Sequence, residues 1–258
     1  MKHCSRNAAN NWLNYRSNSL MKMTYPVVLA GLLAISTAHA DLPIAPFQAR
    51  YHLYGSGLPV GEALMSLDAV GAQGYTMHFE VRPNKLVALL TSHQIQEQAS
   101  GEIHNGQVQP LYYERQADTG RETQQVKLRF NWPAAQVEAR RNAEQATLPL
   151  SPGVTDPLSL NLAVMRDLQS GQLPEQYALV DGTEPRVYQV RNEGEETLNT
   201  TLGRLRTVRV SQTRPDGNRT TTFWFAAELQ YLPVRIARKK NGREDLRLEI
   251  RSLERSAH

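Results

Sequence analysis

Asp156 has the most specific setting of any acid in the chain. It precedes Pro157 and an apolar stripe of Leu158, Leu162, Met165 and Leu168. Its carboxylate fits a helix N-cap, which accepts protons from helix amides that lack partners, with proline at the first helical position. The other reactive side chains are scattered. His52, His78, His93, His104 and His258 show no i, i+2 or i, i+4 pair, and H-E-x-x-H is absent. A metal needs converging donors, so no metal site is expected. Ser56 lies between Gly55 and Gly57 and between two strand patterns. It reads as a turn serine, not the nucleophile of a G-x-S-x-G elbow. Glu193, Glu195 and Glu196 surround Gly194. They read as a solvated turn, because a glycosidase pair must face across a cleft at defined separation. The single cysteine, Cys4, precedes everything else of interest. No catalytic or cofactor motif emerges, so a non-enzymatic protein is expected. An enzyme with an unrecognised constellation ranks last.

Binding residues are easier to nominate than catalytic ones. Phe223-Trp224-Phe225 puts rings on both faces of a strand. One face must be core; a Trp224 facing away from it would line a cavity or a partner surface. Phe79 and Leu128 sit on the apolar phase of their own strands and are nominated with Trp224 as ligand-lining residues. The run Leu86-Val87-Ala88-Leu89-Leu90 reads as core, or as a docking patch if exposed.

These residues are set behind a leader. Lys22 precedes an apolar run from Val27 to Ile35, which ends at Ala38-His39-Ala40 before Asp41. A charged start, a short apolar middle and an A-x-A exit make a secretory signal peptide over residues 21–40, cut between Ala40 and Asp41. The run is too short to span a bilayer, which takes about 20 residues. Residues 1–20 read as a start-site extension or a long n-region. The expected compartment is the periplasm, and no transmembrane span is expected beyond Asp41. The leader also carries the charge excess. The chain has 29 Lys and Arg against 25 Asp and Glu, and Lys2, Arg6, Arg16 and Lys22 all precede Asp41. Removing those four leaves a formally neutral chain, which argues against nucleic acid as partner. Arg140-Arg141 and Arg238-Lys239-Lys240 read as strand ends or turns. With Cys4 gone, no thiol remains for a disulfide or a thiolate ligand.

Strands are expected to position nearly everything else. Phe47, Ala49, Tyr51 and Leu53 alternate with polar residues, as do Tyr75, Met77, Phe79 and Val81, and Leu246, Leu248 and Ile250. Period-two alternation bounded by turn residues signals antiparallel strands with one dry face. Further strands are expected over 60–68, 92–103, 108–116, 122–130, 135–140, 186–190, 195–200, 205–212, 219–225 and 233–239. Asn105-Gly106 and Asn241-Gly242 are hairpin signals. The one helix is expected near 156–169, with Gly171 as its stop. Residues 41–258 then form a single mainly β domain: a curved antiparallel sheet, barrel or half-barrel, plugged or covered by that helix.

An ordered series of fragments points to a family. Tyr51 with Gly57 and Gly61 is followed by Gly101-Glu102-Ile103 with Gly106, then Pro110-Leu111-Tyr112-Tyr113. Asp156-Pro157-Leu158-Ser159, Gly203, Phe223-Trp224-Phe225 and Leu232-Pro233-Val234-Arg235 complete it. The series resembles the exported bacterial family "domain of unknown function 3108" over nearly all of residues 41–258. The resemblance implies an exported β-rich protein of Gram-negative cells and implies no catalytic residue. The expected architecture is also similar to periplasmic lipoprotein carriers, which bind acyl chains inside a curved sheet. The first functional expectation is therefore a non-enzymatic carrier for an apolar, lipid-like ligand. The alternative is an envelope assembly factor that binds a protein partner through a sheet edge or the aromatic strand.

Overall fold

Hydrophobic alternation in this chain becomes a run of strands, each paired with the next. The computed structural model describes residues 44–84, 94–118, 122–214 and 217–255. The leader, with Ala40 and Asp41, and the Leu86–Leu90 run lie outside the described residues. Eight strands come first: β1 (Phe47–Gly55), β2 (Leu58–Val70), β3 (Gly74–Pro83), β4 (Gln94–His104), β5 (Gln107–Asp118), β6 (Thr123–Asn131), β7 (Gln136–Arg141) and β8 (Glu144–Pro149). Helix α1 (Ser159–Gln169) follows. Six strands then complete the chain: β9 (Gln176–Asp181), β10 (Glu184–Thr200), β11 (Gly203–Thr213), β12 (Arg219–Ala226), β13 (Leu232–Lys240) and β14 (Arg243–Arg255). A single 3₁₀ turn, Ala227–Leu229, separates β12 from β13.

All fourteen strands belong to one sheet in the order β8-β7-β6-β5-β4-β3-β2-β1-β14-β13-β12-β11-β10-β9. Every pairing is antiparallel. The expected curved antiparallel architecture is what forms, and it is not closed: β8 and β9 are its two edge strands, and β9 carries one short parallel bridge, Thr155↔Leu179. Turn chemistry sets the hairpins. Ser56-Gly57, Asn105-Gly106 and Asn241-Gly242 each place two successive residues at positive φ, the geometry that matches strand twist.

The inner face carries the core. Tyr51, Tyr75, Met77, Tyr113, Leu128, Phe225 and Leu248 are all buried on it. Helix α1 lies against this face and buries Leu160, Leu162, Ala163, Val164, Met165 and Leu168, nearly its whole surface. Its buried acid, Asp167, is met by Arg166 and by Tyr177 O–H at 2.6 Å. The expected span of α1 matches the observed one closely. Asp156 Oδ1 accepts the amide protons of Leu158 and Ser159, both at 2.8 Å. The Asp156 carbonyl accepts the first helical bond, from Leu160 N–H at 3.0 Å. The Asp156 carboxylate thus serves the two amides that lead into α1, just ahead of its cap position at Leu158.

Three strand expectations need correction. The segments 186–190 and 195–200 are one strand, β10, which passes through Gly194 as a bulge. Gly194 takes φ 96°, a conformation glycine adopts freely, so the ladder with β11 resumes at Glu195↔Val208. Strands β8 and β9 were not foreseen. Both are six-residue edge strands: β8 is mostly exposed, and β9 is too short for its buried Tyr177, Leu179 and Val180 to stand out as a period.

Candidate functional site

The residues nominated for binding separate into different environments. Leu128 is fully buried in the core. Phe79 packs against the same core, half-buried. Trp224 is also half-buried and touches that core, but its strand position sets it on the opposite face from Phe223 and Phe225. Phe223 and Phe225 turn inward, where they line a small space with Leu160 and Val164 of α1. Trp224, between them, faces outward. That inner apolar space measures about 60 Å³, enough for a water or two and far too small for an acyl chain.

The outward face holds a much larger space. A groove of about 1100 Å³ crosses β10 to β14, with Trp224 on its floor. Arg191, Arg209, Arg235, Lys239 and Arg247 line it, against Glu175, Glu193 and Glu244. The floor is a lattice of opposite charges. The Arg235 guanidinium lies 5.6 Å from the Trp224 ring centre, and Trp224 Nε1–H donates to Glu196. Arg209 stands 3.8 Å from Glu196 and 3.9 Å from Glu193, which also accepts from Ser211 Oγ at 2.7 Å. Glu249 is shared by Arg235 at 3.1 Å and Arg247 at 3.5 Å, and Arg247 covers Tyr54 at 5.1 Å. The lattice holds the side chains in place before anything binds, which lowers the ordering cost of binding. Glu193 and Glu196, expected in a solvated turn, are instead part of this floor.

A second polar region lies inside the sheet, around the start of α1. Tyr75 O–H donates to Ser159 Oγ at 2.8 Å, and Tyr113 O–H donates to Glu97 at 2.9 Å. Asp156 is wholly buried, and its Oδ2 has no partner among the described residues. Burial pushes its carboxyl up to about 6, against the pull of the amides and hydroxyl that bond it. Burial also raises the Glu97 carboxyl, with Arg115 at 3.8 Å opposing. Burial raises the Tyr75 and Tyr113 hydroxyls too, and the nearby carboxylates push the same way. These groups hold protons where ordinary side chains would release them.

Close packing fixes this inner region. A Cβ on Gly101 would meet the Gln109 carbonyl and the Tyr75 hydroxyl, so β4, β5 and Tyr75 approach only because residue 101 is glycine. Among the described residues, no group of three or more His, Cys, Asp or Glu side chains could hold a metal ion. His52 is half-buried and His78 exposed, and Ser56 sits in a turn at φ 47°. No helix among the described residues is long and apolar enough to cross a membrane. Sequence reasoning found Trp224 and Asp156 but missed the arginines of both regions. Their signal was the phase of alternation: Arg115 falls in step with buried Tyr113 and Ala117, and Arg141 with Val137 and Ala139.

Comparison with known proteins agrees with the fold. A β-barrel-like protein of domain of unknown function DUF1849 from Brucella abortus superposes with a TM-score of 0.55. It shares 14% identity, and the match covers 84% of this chain and 100% of that one. A protein with a YmcC-like fold from Bacteroides fragilis matches at a TM-score of 0.30 and 8% identity, over 81% of this chain and 95% of the other. No curated protein matches. The family profile described as protein of unknown function (DUF3108) spans residues 47–248, from the first residue of β1 into β14. The chain, with that match running through nearly every strand of its sheet, belongs to the DUF3108 family.

Proposed function

We propose that this protein is an exported, non-enzymatic binding module of the cell envelope, whose outward groove takes an extended, anionic polar ligand. The observation that carries the reading is the groove itself: about 1100 Å³, with Trp224 on its floor and five cationic side chains along it. Its volume slightly exceeds the usual range for compact small-molecule pockets, which suits an elongated ligand. Arg191 and Lys239 line the groove beside the paired arginines of its floor, and guanidinium and ammonium groups pair well with carboxylate or phosphate. The indole offers a flat apolar face to a ring. An acidic oligosaccharide combines these properties. Export rests on the signal-like segment 21–40, and the periplasm is its natural destination.

Isothermal titration with an oligogalacturonate, and with a neutral malto-oligosaccharide of equal length, tests the reading. The acidic chain should bind at least tenfold more tightly, and Trp224→Ala should weaken it at least tenfold. Equal affinity for both, or binding indifferent to Trp224→Ala, overturns the groove as the site. Mass spectrometry of the protein from a cell fraction tests export: the expected N-terminus is Asp41 in the periplasmic extract, and an intact chain in the cytosol refutes it.

A further inference from the structure

The inner face carries cations that the groove does not use. One transverse row of register partners runs Met65, Phe79, Glu97, Arg115, Val126, Arg141 across β2 to β7. Val126 between the two arginines is buried, so the row faces inward. Arg115 and Arg141 are two strand spacings apart, about 10 Å. From the other edge of the sheet, Asp181 ends β9 within 3.8 Å of Arg186 Nε and 3.5 Å of Arg214. The Asp181 carbonyl accepts a long hydrogen bond from Arg141 Nη2, 3.3 Å. Gly182, at φ 70°, rests against the Arg141 guanidinium so closely that a Cβ would collide with it. The β9–β10 turn therefore sits on an arginine from the opposite half of the sheet.

The partners of these arginines are incomplete. The Nε–H groups of Arg115, Arg141 and Arg186 are buried without acceptors among the described residues. So is the Thr183 hydroxyl, in the turn beside Arg141 and 7% exposed. Arg141 has no carboxylate in ion-pair range among the described residues; its one acceptor is the long bond to Asp181. Three carboxylates touch the four arginines: Glu184, which accepts from Arg186 Nη2 at 2.7 Å, Asp181 between Arg186 and Arg214, and Glu97 at a loose 3.8 Å from Arg115. A stable core does not leave several donors unsatisfied without reason. The side chains are reachable: Arg115 is 29% exposed, Arg186 27% and Arg214 32%.

We propose that Arg115, Arg141, Arg186 and Arg214 form a site for a phosphate or phosphomonoester group at the seam between the two edges of the sheet. A carboxylate has two oxygens and is satisfied by one or two guanidinium forks. A phosphate group presents three or more terminal oxygens and suits forks arriving from separate strands. Bound there, it bridges β5 and β7 to the β9–β10 hairpin, which the ladder leaves unbonded. The phosphate can belong to a free anion or to a lipid headgroup. The two sources share this chemistry.

Titration calorimetry of the full chain with inorganic phosphate, at constant ionic strength set with chloride, tests the site. A second arm measures co-sedimentation with phosphatidic acid vesicles against phosphatidylcholine vesicles. Saturable binding of inorganic phosphate, weakened at least tenfold by Arg141→Gln and by Arg186→Gln, supports the site with a free anion. Binding confined to phosphatidic acid vesicles, and lost in the same variants, supports it with a headgroup. Arg50→Gln, an exposed arginine on β1 bonded to Gln48, should change neither result. Failure of both probes, or binding that survives Arg141→Gln and Arg186→Gln, overturns the proposal.

Discussion

Asp156→Asn isolates the electrostatic cost of the buried carboxylate ahead of α1. The wild-type carboxyl is wholly buried and is shifted from 3.8 to about 6. Asparagine keeps an oxygen for the amides of Leu158 and Ser159 and places a neutral NH₂ near the unpartnered Oδ2 position. It therefore mimics the protonated acid. A shift of this size corresponds to about 3 kcal/mol. The sign follows from proton uptake. The folded-state value lies above the unfolded one, so the native protein binds the extra proton between roughly pH 3.8 and 6. Wild-type stability from this group is fully present below pH 3.8 and falls as pH rises through about 6. Asp156→Asn removes that fall. Urea unfolding of both proteins across this range is the assay. The variant should be more stable by about 3 kcal/mol at pH 8, with the gap shrinking towards zero by about pH 3. A variant no more stable at pH 8, or a gap that does not vary with pH, refutes the electrostatic account of this carboxylate.

Two further substitutions probe the same inner face. Tyr75→Phe deletes the bond to Ser159 Oγ that ties β3 to the start of α1, and should cost about 1 kcal/mol in urea unfolding; no change would mean the hydroxyl is equally well served by solvent. Leu128→Ala empties a fully buried position on β6 and should cost about 2–5 kcal/mol, read as a lower urea midpoint at constant m; a cost under about 1 kcal/mol would show that this part of the core is loosely packed.

Local chemistry made most of the sheet readable. The residues Tyr75 to Val81 alternate so cleanly that strand and dry face follow together, and Asn105-Gly106 fixes the hairpin that pairs β4 with β5. The strands at the two edges carry weaker signals. In β8 the chain is largely exposed and polar, so no period stands out. At Asn192–Gly194 the turn-forming residues are real, but the ladder to β11 on either side keeps the strand running through them. Which way Trp224 points was undetermined because its neighbours are also aromatic. The helix decides it, by packing on the Phe223 and Phe225 side. The seam arginines were the hardest to see. Residues 115, 141, 186 and 214 are far apart in the chain, and they form a group only once the pairing Arg115↔Val126↔Arg141 is known.

The order of strands explains why the seam is polar and why the helix must lie inside. The chain enters at the centre of the sheet in β1 and zigzags outwards to the free edge β8. It reappears at the opposite edge, β9, and zigzags back to β14, which pairs with β1. The link between the two edges contains α1 and crosses the inner face, so its apolar surface fills the hollow of the curved sheet. One short contact ties that link to the far edge: Thr155 N–H to the Ala178 carbonyl at 3.1 Å, and Val180 N–H to the Thr155 carbonyl at 3.0 Å. Asp156, whose carboxylate serves the amides that lead into α1, is the next residue. The edges are thus joined by one strand-like contact, a helix and side-chain charge, in place of a continuous ladder. Backbone ladders respond little to pH or to anions, whereas ion pairs and a buried carboxyl respond to both. The seam is therefore where this sheet should be most sensitive to its surroundings, and hydrogen exchange at Thr155 and Val180 should speed up on alkalinisation beyond the intrinsic rate, while exchange in the central β1–β14 pair should not.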